Sequence, residues 1–188
     1  MENASFLESA ERQFQYYKSL GEKAIEQVEP EHLFWQPNEE SNSIAMIVQH
    51  LWGNMLSRWT NFLTEDGEKP WRQRDAEFEP HLKTKEEVML KWNEGWQCLF
   101  DALKSITDND LNRIVYIRNE GDSILSAINR QLAHYPYHVG QMIYISKLIK
   151  NDAWKSLSIP RNKSGDYNAG KFSQEKELKH FTDDWLKK

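Results

Sequence analysis

Four stretches of this chain place their apolar residues at alternating steps of three and four, the spacing that lines up side chains along one face of an α-helix. Residues 4–28 carry Leu7, Ala10, Phe14, Tyr17, Gly21, Ala24 and Val28, opened by Ser5 and Glu8 in capping-box spacing. Residues 43–64 carry Ile44, Ile47, Val48, Leu51, Met55, Trp59 and Phe62, with Asn42 or Ser41 as the expected cap. Thr84 and Glu87 open a third helix, whose stripe of Val88, Trp92, Trp96, Leu99 and Leu103 runs to about residue 106. The fourth spans about 123–149. A helix that is apolar along one stripe must bury that stripe against another element. Four such helices with little strand signal predict an all-α, antiparallel-type four-helix bundle, read as one domain over residues 1–188.

The connections are less regular. Pro30 breaks the chain before a loop over 31–42, and residues 65–83 form a long charged connection with Pro70, Pro80 and an Asp66-Gly67 turn. Loops of that length are unusual in a compact domain and often cover a site; this one also permits a crossover between helices. Ile114-Val115-Tyr116-Ile117 favours a short strand or an extended connector. Residues 152–170 read as coil, and 174–187 as a short amphipathic helix docked on the body.

Composition narrows the function classes. A net charge of −5 and a pI near 5.7 argue against the basic footprint of a nucleic-acid binder. No apolar run reaches membrane-span length, and Met1-Glu2-Asn3 does not begin a secretory signal, so the expected setting is cytoplasmic, with no membrane partner. The single cysteine, Cys98, precludes an internal disulfide. It lies beside the third helix's stripe, as an inert buried thiol would.

The fourth helix contains His134-Tyr135-Pro136-Tyr137-His138. Histidines four apart project from one helical face and can reach one metal ion. The proline between them removes a backbone hydrogen bond at a cost of roughly 3 kcal/mol, which suggests a site. Gln131 and Gln141 share the histidine stripe, and the second helix offers Ser43, His50, Asn54 and Asn61 on a polar stripe of its own. If those stripes face each other, His50 completes a three-histidine set that leaves a coordination position open, the catalytic arrangement. Imidazoles suit zinc, nickel, copper or iron. The simpler alternative is that the histidines only satisfy buried hydrogen bonds and that Pro136 only bends the helix.

The pairing of His50-Leu51-Trp52-Gly53-Asn54 with His134-Tyr-Pro-Tyr-His138-Val139-Gly140-Gln141 resembles the DinB/YfiT-like metalloenzyme superfamily, closest to an uncharacterised bacterial branch. The resemblance extends to Trp35, Ser41-Asn42-Ser43, Arg58, Asp66-Gly67-Glu68 and Ser158-Ile159-Pro160-Arg161. It implies a four-helix bundle of up-down-down-up order and a divalent metal, zinc or nickel first, on His50, His134 and His138. It also implies a small-molecule substrate and a homodimer, which the abundance of aromatic residues suits. Some relatives are transferases or isomerases that use low-molecular-weight thiols.

The residues limit the chemistry independently. Tyr135 stands where an H-E-x-x-H peptidase has its general-base Glu, and no other carboxylate falls at a helical spacing beside the histidines. A hydrolase would depend on metal-bound hydroxide or on a base from a loop. A divalent ion deprotonates a thiol without any protein base, which favours a thiol transferase. A thiol-free hydrolase or isomerase, or a noncatalytic metal-binding stress protein, are the alternatives. Asn54, Tyr137 and Gln141 are candidate pocket or supporting groups. Arg58 meets an anionic substrate or, more simply, pairs with an acidic residue near its helix end.

Overall fold

The computed structural model describes residues 5–186. Four long helices, α1 (Phe6–Gln27), α2 (Ile44–Trp59), α3 (Lys85–Lys104) and α4 (Ile124–Lys150), share one apolar core. Each begins at a hydroxyl side chain that accepts from the backbone N–H three residues on, satisfying a donor the helix leaves orphaned. Ser5 accepts from Glu8, Ser43 from Met46, Thr84 from Glu87 and Ser123 from Ser126, at 3.1–3.2 Å. Glu87 also reaches back to the Thr84 N–H, so that capping box is complete. The cap of α2 is Ser43 and not Asn42 or Ser41, because Ser43 takes the extended backbone that lets its Oγ fold over the first turn.

The second helix ends at Trp59, short of residue 64, where Asn61 turns into the left-handed region at φ 49°. Phe62 still reaches the core from the turn. The 114–117 segment is strand β1 (Ile114–Ile117), and it pairs antiparallel with β2 (Glu120–Ser123), a strand the sequence reading did not anticipate. Arg118 and Asn119, at φ 57° and 63°, make the two-residue turn whose twist matches a hairpin. Asp66 holds that turn, its carboxylate accepting from the Arg118 and Asn119 N–H groups at 2.8 and 2.9 Å. The fold is thus mostly helical with one small hairpin, not purely α. Toward the C-terminus, α5 (Ser164–Phe172) occupies residues expected as coil; of the helix expected over 174–187, the described residues form α6 (Asp183–Leu186), and residue 187 lies outside them. Among the described residues no helix is long and apolar enough to cross a membrane.

Four aromatic contacts show how the core is assembled. Phe14 of α1, Trp96 of α3 and Tyr135 of α4 meet with ring centroids 5.8–6.3 Å apart. Trp92 packs edge-on against Trp96 and fills the space over Gly21 of α1. A Cβ at Gly21 would overlap the indole, which is only 1 % exposed and has nowhere to move. That overlap outweighs the roughly 1 kcal/mol that alanine gains over glycine in helix propensity. Gly21→Ala is expected to destabilise the protein by about 1–2 kcal/mol, read as a lower denaturation midpoint at unchanged m-value.

Candidate metal centre

α2 and α4 pack with opposed chain directions, so His50 faces His134 and His138 while Asn54 and Trp59 reach Tyr135. The Nε2 atoms of His134 and His138 lie 3.1 Å apart, and those of His50 and His134 lie 3.5 Å apart. The three ligand atoms all fall within 4.8 Å of one another. Two imidazole nitrogens on a tetrahedral zinc, each about 2.05 Å from the ion, are separated by about 3.4 Å. The observed spacings bracket that edge.

The other ring nitrogens are all engaged. His50 Nδ1 meets Glu77 Oε2 at 2.9 Å, His134 Nδ1 meets Gln131 Oε1 at 3.2 Å, and His138 Nδ1 meets Gln141 Oε1 at 2.8 Å. An oxygen acceptor on Nδ1 holds the proton there and leaves the Nε2 lone pair free. Three lone pairs converging at this range repel one another unless a cation lies among them. The donor set therefore fits a divalent ion that accepts imidazole. Burial is the main cause that lowers His134 to about 3, with the neighbouring His138 and His50 and then Arg130 and Arg72 adding to it. Burial also lowers His138, against the hydrogen bond to Gln141.

Glu77 is the site residue that sequence spacing missed. It comes from the 65–83 connection, in a 3-10 turn over Asp75–Phe78, and nothing in the local pattern distinguishes it from Asp75 or Glu79. Arg72 clasps it with two hydrogen bonds of 2.7 and 2.9 Å, and both residues are buried. Gln49 of α2 donates to the Ala76 and Glu77 carbonyls and so fastens the turn to the helix. Gly53 makes the approach possible, because any Cβ there would overlap Glu77 Oε1. Phe78 then stacks on the His50 ring at 5.1 Å. Burial pushes Glu77 up, but the hydrogen bonds from His50 and Arg72 and the arginine's charge outweigh it and hold the carboxyl below its usual range.

The remaining predicted residues are placed as follows. Gln141 holds His138 and donates to the Tyr137 hydroxyl at 3.1 Å. Both line a cavity of about 470 Å³ with Asn42, Ile47, Tyr144 and Leu148, so this cavity adjoins the histidines through Gln141. Asn54 is buried and accepts from the Tyr135 hydroxyl, which itself accepts from Trp59. It supports the core beneath the site and hydrogen-bonds none of the histidines. Among the described residues Arg58 has no acidic partner within ion-pair distance, contrary to the simpler expectation for it. Burial, with Arg130, Arg74 and Arg72 nearby, lowers it to about 10. Cys98 is half-buried and raised, chiefly by burial, as an inert thiol should be. Pro136 lies within a continuous α4.

The model of a family described as "Protein of unknown function (DUF1572)" matches residues 2–163, and the chain belongs to that family. No curated protein and no solved structure matches it. The matched span contains all four long helices, the hairpin and every residue of the histidine cluster.

Two outcomes follow from the geometry. Glu77→Gln keeps an acceptor near His50 but removes the charge that opposes Arg72, and is expected to weaken divalent metal binding about 10- to 100-fold in chelator competition. In metal-free protein burial keeps His134 and His138 neutral in the fold, so the unfolded chain binds more protons below pH 6.5 than the folded one does. Stability is therefore complete above about pH 6.5 and falls as pH drops toward 3, a loss that His134→Ala should reduce in urea titrations with chelator present.

Proposed function

We propose that this chain is a metal-dependent enzyme of the DinB/YfiT-like kind, with its four long helices as an up-down-down-up bundle. In this reading it is a transferase that activates a low-molecular-weight thiol. The observation that carries it is the convergence of three imidazole Nε2 atoms whose Nδ1 atoms are each held by an oxygen acceptor. His50, His134 and His138 would hold the ion, zinc or nickel, while Glu77, Gln131 and Gln141 fix ring orientation and proton position. A divalent cation at such a site lowers the pKa of a thiol or water and so supplies a nucleophile at neutral pH.

The choice of thiol over water rests on the state of Glu77. It is the carboxylate that hydrogen-bonds the histidine cluster, and Arg72 and His50 occupy both its oxygens. A carboxylate so engaged, with its acidity raised by those partners, is a poor general base for water. Thiol activation does not need one. The cavity edged by Tyr137 and Gln141 would receive the small-molecule substrate, with Ile47 and Leu148 covering its apolar part.

Metal analysis of untagged protein tests the first half of the reading. One ion per chain is expected, lost in His50→Ala and His138→Ala, and no metal after reconstitution would overturn it. Assays of thiol conjugation to electrophiles, run beside ester and amide hydrolysis, test the second half. Thiol-dependent turnover is expected. Hydrolysis without thiol would replace the transferase with a hydrolase, and bound metal with no turnover in either assay would leave a metal-binding protein without catalysis.

A further inference from the structure

Arg58 is a cation placed where its charge has no direct partner. Among the described residues its buried Nε and Nη1 atoms have no hydrogen-bond partner, and no carboxylate lies within ion-pair distance. Glu68 and Asp66, the acidic residues that feel its charge, are already engaged. Glu68 binds Arg74 and Arg118, and Asp66 accepts from the N–H groups of Glu68, Arg118 and Asn119. Arg130 and Arg74 add further positive charge nearby. Arg58 is partly buried, and the C-terminus of α2 offsets little of its charge.

Beneath the hairpin, Arg58 and Gln131 line one small, partly open cavity of about 20 Å³, walled by Phe62, Gly67, Val115 and Ala127, with no acidic residue among its walls. Gln131 is 3 % exposed. Its Oε1 is used by His134, while its NH₂ group has no hydrogen-bond partner among the described residues. The cavity is thus bordered by an unpaired guanidinium and an unpaired amide donor. Its volume suffices for a species about the size of one water molecule.

We propose that this cavity is an anion site, in which Arg58 and the Gln131 amide hold one halide-sized anion. The anion neutralises the surplus arginine charge and fixes the rotation of Gln131, so that its Oε1 stays on His134 Nδ1. The site requires no metal at the histidines and is tested without one.

The experiment melts the metal-free full chain, with chelator, in sodium chloride, sodium bromide and sodium gluconate at equal ionic strength. Gluconate is too large for the cavity and controls for screening. A concentration-dependent rise in melting temperature is expected in chloride or bromide over gluconate, and the stronger of the two reports the size of ion the cavity admits. Arg58→Gln is expected to weaken that dependence about ten- to hundredfold. Gln131→Glu supplies a built-in carboxylate, so it should raise the melting temperature in gluconate and abolish the anion-dependent rise. This second variant decides the matter if Arg58→Gln does not fold. Equal melting in all three salts means the cavity holds water only and overturns the proposal. An anion effect that survives in Gln131→Glu places the anion elsewhere and overturns it equally.

Discussion

α2 is buried along almost its whole length, and that burial constrains the rest of the molecule. A helix so enclosed must find a partner for each polar side chain it carries inside, since an unsatisfied buried group costs about 1–3 kcal/mol and an unpaired charge more. Gln49 uses the carbonyls of the 75–78 turn, His50 uses Glu77, Asn54 uses Tyr135, and Ser57 donates to the Gly67 carbonyl. These bonds draw the long connection, the hairpin and α4 onto one helix. Two groups do not close the account within the chain: His50 Nε2, whose neighbours are other histidine lone pairs, and the Arg58 guanidinium. The first suits the metal ion proposed for the histidines, and the second the anion proposed under the hairpin.

The two places are linked through single side chains. Gln131 touches His134 with its oxygen and lines the Arg58 cavity, and Arg72 holds the carboxylate that holds His50. The arginines do not repel a cation from the histidine cluster outright, because Glu77 stands between Arg72 and His50 and neutralises the nearer charge. The same clasp removes Glu77 from service as a base. One buried carboxylate thus orients the His50 ring and, in the proposed reading, bears on which nucleophile the site serves.

Much of this was legible before any coordinates. The seams with steps of three and four located the long helices, and hydroxyl residues marked where they begin. The H-x3-H pair, with His50 on a facing polar stripe, named three residues that the fold does bring together, and the glutamines one turn away proved to be ring partners. The misses have physical causes. β2 is Glu120-Gly121-Asp122-Ser123, which carries no apolar alternation because it lies exposed and is held by pairing with β1. The pairing expected of Arg58 fails because each nearby acid has a better-placed partner.

Periodicity and side-chain chemistry determined the helices, their buried faces and the identity of the three imidazoles, because those depend on spacing along one element. Only the tertiary structure decided that Glu77, rather than Asp75 or Glu79, orients His50. It also decided that Asn54 serves the core and that Arg58 stands unpaired. Each of these depends on which segments of chain are pressed together, where a missing Cβ at Gly53 and a two-pronged arginine select one carboxylate among several that are alike in sequence.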